Sequence, residues 1–466
     1  MKQTSEHTVL TVHTGEAIQE DYKGPGAVYH GYLFQPDAGK RVYTGEQCRT
    51  ELDRVRRMGI RLVRTYYNYD MVWYKGEWNW ESPAMTGFYR WLGELKEMGV
   101  KVIVNAAWNC PGDINSSHSW PWAVSPITVQ GDWEASVQRY AWFISQSVRQ
   151  MIELRGFTNV EYLCMFTEPQ RPGGRMLHAE PSYQWKGWRD CVKAAHERLV
   201  ADNRRHLIKM VGPDEGSTAT SVMLEWVTQN ADEYIDIYSS HNYDPTGEPR
   251  DTYDDWCAWA SAGEGYAKKT GKPYWFDEYG TFSEEARRGD WYGTLIAIAQ
   301  TAFMNSGVQA SLLWTLFDQQ WPNNYTNNSD SFHDGEHRCG IAPTLRQSGI
   351  PHKAYYSFSL ITRYFSGENS VVYKTSGSDG LHLAALKRGD GVISILVVNS
   401  NQQPKSFSLQ LPGMSQLLYR HLYDPAAVIP DKNADLIPAD RTIAAGTGFT
   451  DELPAGGVAV YTSMKE

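Results

Sequence analysis

The chain has 466 residues, 41% apolar and 21% charged, which is enough to bury a large core. Its 54 acidic and 44 basic side chains give a formal charge of −10, without any Lys/Arg-rich run, and this speaks against a nucleic-acid partner. Eighteen Trp and 28 Tyr exceed what core packing asks for and suit stacking on flat neutral ligands, carbohydrate first.

The six cysteines, Cys48, Cys110, Cys164, Cys191, Cys257 and Cys339, are far apart and form no CxxC pair. Neither a zinc site nor a disulfide framework is signalled. The first residues, MKQTSEHTVL, show no charged segment followed by an apolar one. No stretch approaches the ~18 apolar residues of a membrane span. The chain is therefore expected to be cytoplasmic, although a signal peptide removed and replaced by Met would leave the same sequence.

Short β-branched runs alternate with amphipathic stretches, the pattern of parallel strand–helix units. The first strand is expected over Ala27–Phe34, and a helix over Gly45–Met58 stops at Gly59. IRLVRTYY (60–67) predicts strand two and FYRWLGELKEMG (88–99) its helix. VKVIVNAAW (100–108) predicts strand three, with a long helix over Asp132–Leu154. Strand four is Val160–Phe166 and its helix Tyr183–Asn203. Strand five is HLIKMVG (206–212), with a helix over Ser221–Asn230. Strand six is YIDIYSSHNY (234–243), with a helix over Trp256–Thr270. Strand seven is PYWFDEYG (273–280), with a helix over Trp291–Asn305. Strand eight is ASLLWTLFD (310–318), and KAYYSFSLITRYF (353–365) closes the series. Eight such units predict an α/β (β/α)8 TIM barrel over residues 21–366. After Ser366, strands alternate with Gly/Asn/Asp turns, which predicts an antiparallel β-sandwich over 367–466. HTVLTVHT (7–14), within an N-terminal segment 1–20, is a strand that could join that sandwich.

In such a barrel the chemistry sits at the C-terminal ends of the strands. LCMFTEPQ (163–170) ends strand four on Glu168, and DEYG ends strand seven on Glu278. Two carboxyl groups facing across one pocket suit glycoside hydrolysis, one as acid/base and the other as nucleophile or base for water. Arg64, His241 and Tyr243 end strands two and six and could hold a carboxylate in its charged form. Asn105, Trp108, Trp314 and Trp321 complete the expected substrate-binding set, with Thr167. Trp120 and Trp122 are further stacking candidates.

These motifs resemble clan A of the glycoside hydrolases, the retaining (β/α)8 enzymes, and above all families 39, 30 and 5. There an Asn-Glu pair, often followed by Pro, ends strand four, and a second Glu in an E-[FY]-G setting ends strand seven. FTEP and DEYG hold those places here; HNY after strand six and Trp314 also fit. The resemblance implies a retaining glycosidase on β-linked or stereochemically equivalent α-L-linked sugars, with Glu168 as acid/base, Glu278 as nucleophile and no cofactor. One departure is Thr167, where the clan has Asn. That Asn normally bonds the sugar 2-hydroxyl, so either the substrate differs there or Asn105 or Asn109 takes over.

Blander readings stand beside these. A Glu at a strand end is commonly a solvated or paired surface group, Arg64 could merely brace the barrel, and single Trp residues more often pack than bind. His333, Asp334, Glu336, His337 and Cys339 have no standard metal spacing and read as a hydrogen-bonded loop. Asp244 before Pro245 reads as a turn former. The rival functions are a transglycosidase on the same site and a catalytically silent carbohydrate-binding barrel, with a metal-dependent hydrolase more remote.

Overall fold

The computed structural model of the protein describes residues 8–30, 33–34, 43–106, 126–129, 131–169, 181–216, 222–318, 339–343, 345, 348–377 and 380–465. Eight parallel strands close into a barrel in chain order: Gly24–Val28, Leu62–Tyr66, Lys101–Asn105, Val160–Cys164, Lys209–Gly216, Ile237–Asp244, Tyr274–Thr281 and Ala310–Leu313. The eighth strand pairs back onto the first through Ala310 and Gly24. A nine-stranded, mostly antiparallel sheet stands beside it, from Ser370–Ser376 to Val458–Thr462. The long strand Thr8–Tyr22 lies within that sheet, antiparallel to Ser370–Ser376 and parallel to Lys405–Gln410.

Local signals place the helices. Thr44 and Gln47 cap Gly45–Met58 reciprocally, and Gly59 ends it in the left-handed conformation at φ 68°. The helix after strand two begins at Pro83 rather than Phe88, because Ser82 caps it and Pro83 fits its first turn. The stretch expected as one helix to Leu154 is α-helical over Trp133–Val148 and finishes as a π-helical turn over Arg149–Leu154.

Strands one, five and eight differ most from expectation. Strand one runs over Gly24–Val28 instead of Ala27–Phe34. Strand two comes so close that a Cβ on Gly26 would lie 2.5 Å from the carbonyl oxygen of Leu62, so the position requires glycine. Strand five extends to Gly216, and strand eight stops at Leu313.

The barrel interior is filled at its lower level by Leu62, Ile103, Tyr162, Trp275 and Leu312 among others. Two residues further along the same strands the interior turns polar: Arg64, Asn105 and Asp277 are all fully buried. This period-two climb from an apolar layer to a polar one is what aims side chains at the mouth. The nine-stranded sheet is buried on both faces. Ala384, Leu386 and Val398 belong to the core shared with the barrel helices, while Leu383, Ala385 and Val397 build a separate core on the far side. Among the described residues, none of the five cysteines forms a disulfide, and no helix is long and apolar enough to cross a membrane.

Candidate active site

Strand four ends at Cys164, and the chain then turns Glu168 into the barrel mouth. Glu168 adopts φ 48°, a left-handed conformation uncommon for a residue with a side chain. Its amide donates to the Asp214 carbonyl at 2.9 Å, which anchors the turn on the neighbouring strand.

Strand seven brings Glu278 to the same place. Its pairing with both neighbouring strands shifts register after Phe276. Such a bulge re-aims side chains, and both Asp277 and Glu278 end up buried against Arg64. Strand five carries a second register shift between Pro213 and Glu215, with Asp214 at φ 62°. That irregularity turns the Asp214 carboxyl inward to Arg64, at 2.8 Å.

Arg64 is the hub. Its Nη1 lies 2.9 Å from Glu278 Oε1 and donates to the Asp277 carbonyl at 3.0 Å. Its Nη2 donates to Asp214 and, at 3.2 Å, to Thr167 Oγ1. Burial opposes the guanidinium charge, but Asp214 and Glu278 outweigh it and hold Arg64 well above its ordinary value. Glu278 also accepts from Tyr66 at 2.8 Å on Oε1 and from Tyr243 at 2.6 Å on Oε2. Burial, reinforced by the Glu278 charge, pushes both phenols far above their usual range, so both remain donors.

His241 sits between the carboxyl groups. Its Nδ1 is 3.2 Å from Glu168 Oε1 and 3.3 Å from Glu278 Oε2, and its Nε2 is 2.6 Å from Asp214 Oδ1. Burial disfavours its charge, yet Asp214 and Glu278 raise it well above the ordinary histidine value. Thr167 accepts a second hydrogen bond, from Asn105 Nδ2 at 3.0 Å. Thr167 and Asn105 thus brace Arg64 from below.

One wall is aromatic. Trp314, half-buried, meets Tyr66 edge-on at 6.1 Å, and His30 stacks on Tyr66 at 4.9 Å. Burial, with the Arg64 charge, lowers His30 to about 3, so it is neutral there. Across the mouth, Phe282 is 58% exposed and stacks on Tyr243 at 4.8 Å.

The structure therefore brings together Glu168, Glu278, Arg64, Asn105, Thr167, His241, Tyr243 and Trp314. Trp108, Trp120, Trp122 and Trp321 lie outside the described residues, as do Asn109, His333, Asp334, Glu336 and His337. Asp244 behaves as a turn former: its Oδ1 accepts from the amides of Thr246 and Gly247, and its Oδ2 pairs with Arg250 at 2.6 Å. Sequence reasoning missed Asp214, Asp277, Tyr66, His30 and Phe282. Tyr66 was within reach, since it continues the Leu62–Arg64 alternation.

Two triads have donor atoms within 4.8 Å of one another: Glu168, His241 and Glu278, and Cys164, Asp214 and Asp277. The positive charge that a metal would bring beside Glu278 is already supplied by Arg64 and His241, so the donor set fits a cation poorly.

No family model matches the sequence, and no curated protein matches it. Solved structures do match its fold over nearly the full length. A glycoside hydrolase family 30 subfamily 8 xylanase from Clostridium acetobutylicum is 13% identical with a TM-score of 0.66, covering 97% of this chain and 98% of that one. A glucosidase from Croceicoccus marinus is 14% identical with a TM-score of 0.64, covering 98% of each. A family 51 arabinofuranosidase from Xanthomonas axonopodis pv. citri is 13% identical with a TM-score of 0.62, covering 98% and 99%. The chain has the fold of these glycoside hydrolases: the eight-stranded parallel barrel together with the second sheet.

Proposed function

We propose that the protein is a retaining glycoside hydrolase, with Glu278 as nucleophile and Glu168 as acid/base. The observation that carries this reading is the close approach of the two carboxyl groups, one oxygen of each lying within 4.8 Å of the other. Retaining pairs stand about 5–5.5 Å apart, whereas inverting pairs need roughly 6.5–9.5 Å to admit a water molecule. The matched folds belong to proteins described as a xylanase, a glucosidase and an arabinofuranosidase, which favours a glycoside substrate.

The surroundings of the two groups support unequal roles. Glu278 is 4% exposed, and Arg64, Tyr66, Tyr243 and His241 converge on its two oxygens. Such donors orient a carboxylate for attack on the anomeric carbon. Glu168 is nearer the opening, with its Oε1 3.2 Å from His241 Nδ1, so it is placed to give its proton to the leaving oxygen. It then takes a proton from the water that releases the sugar. Trp314 and Phe282 flank the space where a sugar ring would lie.

The test is covalent trapping. A panel of activated 2-deoxy-2-fluoro glycosides, spanning β-D-xylosides, β-D-glucosides and α-L-arabinofuranosides, should label one residue. Peptide mass spectrometry is expected to place the adduct on Glu278. An adduct elsewhere, or turnover that survives Glu278→Ala, would overturn the assignment. Product analysis with added sugar acceptors separates hydrolysis from transglycosylation, since both pass through the same intermediate.

A further inference from the structure

The proposed mechanism needs two carboxyl groups, yet four surround the imidazole of His241. The additional pair, Asp214 and Asp277, is completely buried. A hydrogen inventory explains it. Arg64 Nη1 donates to the Asp277 carbonyl at 3.0 Å and forms an ion pair with Glu278 Oε1 at 2.9 Å. The two hydrogens on Nη2 go to Asp214 Oδ2 and Thr167 Oγ1. His241 Nε2 lies within hydrogen-bond distance of Nη1, at 3.1 Å, but meets Asp214 Oδ1 much more closely.

The partner of Nε2 is therefore Asp214 Oδ1, at 2.6 Å. Asp214 also accepts from Arg64, so it is the acceptor and Nε2 carries the hydrogen. On the other side of the ring, Nδ1 faces the carboxyl oxygens of Glu168 and Glu278. With acceptors at both nitrogens, the ring carries a hydrogen on each. Asp277 presents the opposite case. Neither of its oxygens finds a donor among the described residues, and His241 and Arg64 stay 3.6 and 3.9 Å away. One of its oxygens lies within 4.8 Å of an Asp214 oxygen, and both residues are fully buried, so two charges there would repel unless one carboxyl kept its proton.

We infer that Asp277 is a carboxylic acid hydrogen-bonded to the Asp214 carboxylate, and that this pair fixes His241 as a cation whose Nδ1–H serves Glu278 and Glu168 in turn. The second half rests on the function proposed above. In the resting site, Arg64 and His241 balance Asp214 and Glu278, with Asp277 and Glu168 neutral. When Glu278 bonds to the anomeric carbon, the bond to the leaving oxygen breaks and that oxygen takes the proton of Glu168. One negative charge has left Glu278 and one has appeared on Glu168, so the cluster stays neutral. Nδ1 is almost equidistant from both, so its hydrogen follows the charge without movement of the ring. Attack by water reverses the exchange.

The other groups facing the ring do not compete for this role. Tyr66 and Tyr243 are held protonated by burial and by Glu278. Burial, then the Asp214 charge, does the same for the Cys164 thiol behind the acid pair. Burial and the Asp214 charge lift Asp277 far above the usual carboxylate range, against Arg64 and His241. Those same two cations overcome burial and hold Asp214 below it. His241, Asp214 and Asp277 are thus positioning residues.

The experiment is ¹⁵N NMR of protein labelled at histidine, with the His241 signal identified by its absence in His241→Gln. In the unaltered protein both ring nitrogens are expected to remain protonated from about pH 6 to about pH 9, where an ordinary histidine has lost its charge. Asp277→Asn should keep this signature, because an amide N–H can donate to Asp214 as the acid does. Asp214→Asn should abolish it, letting the ring titrate toward ~6.5. The alkaline limb of kcat/KM should then move at least about one pH unit lower. A neutral His241 at neutral pH in the unaltered protein overturns the inference, as does Asp277→Asn behaving like Asp214→Asn. These two results need no activity and hold even if Asp214→Asn does not fold. An imidazolium in a protein that turns over no glycoside would spare the charge pair and remove the proposed function. A trapped Glu278 adduct with a neutral His241 would do the reverse.

Discussion

Gly216 leaves open the space that Glu168 fills. A Cβ at residue 216 would lie 2.5 Å from Glu168 Oε1 and 2.6 Å from its Cδ and Cγ. Glu168, already in a left-handed conformation, has little freedom to retreat. Gly216→Ala should therefore displace the carboxyl by a fraction of an ångström to about 1 Å while the barrel stays folded. Misplacement on that scale costs on the order of 10²-fold in rate. The expected result is a fall in kcat of that size with an unchanged melting temperature. Unaltered kcat would mean that the Glu168 position is not critical.

Thr167 is a structural brace as well as a pocket residue. Its hydroxyl accepts from Arg64 Nη2 and Asn105 Nδ2, and all three residues are buried. Thr167→Val keeps the shape but strips both donors of their acceptor, at a cost of about 1–3 kcal/mol for a group left unsatisfied. Thr167→Ser should recover most of it. Urea denaturation of the three proteins measures this directly.

Glu51 sets a pH dependence far from the site. It is 4% exposed, and burial raises it to about 7 against the opposing Tyr29 hydrogen bond and Arg54 charge. A carboxyl raised in the folded state contributes stability that is present below its unfolded value. That stability is lost as pH rises through about 7. Glu51→Gln should equal the unaltered protein near pH 4 and exceed it at pH 8, by at most about 3 kcal/mol. Tyr29, which donates to Oε1 at 2.8 Å, keeps its acceptor in the variant. Denaturation midpoints across that pH range give the answer, and parallel curves would refute it.

Phe282 is the exposed aromatic at the mouth, stacked on the tyrosine that holds Glu278. If it forms one face of a sugar subsite, Phe282→Ala removes stacking worth about 0.5–1.5 kcal/mol. KM should rise about 2- to 10-fold with kcat nearly constant. A drop in kcat alone would assign Phe282 to supporting Tyr243 instead.

The amino-acid pattern by itself determined the barrel and much of its mouth. Eight runs of β-branched and aromatic residues, each followed by an amphipathic stretch, leave few other ways to bury their apolar faces. Arg64, Glu168, His241 and Glu278 are legible because a charged residue ending a buried strand has one direction to face. Tertiary structure decided what surrounds them. Asp214 sits where strand five slips register, three residues beyond the interior Val211, so no period-two count aims it inward. Strand one begins before its apolar run because Gly26 serves the close approach of strand two. His30 and Phe282 follow strand ends in irregular chain, where packed neighbours, Tyr66 and Trp314 for the first and Tyr243 for the second, orient their rings. Periodicity tells which way a regular strand points. Bulges, close backbone approaches and ring contacts depend on residues far away in the chain, and those emerge only when the barrel has closed.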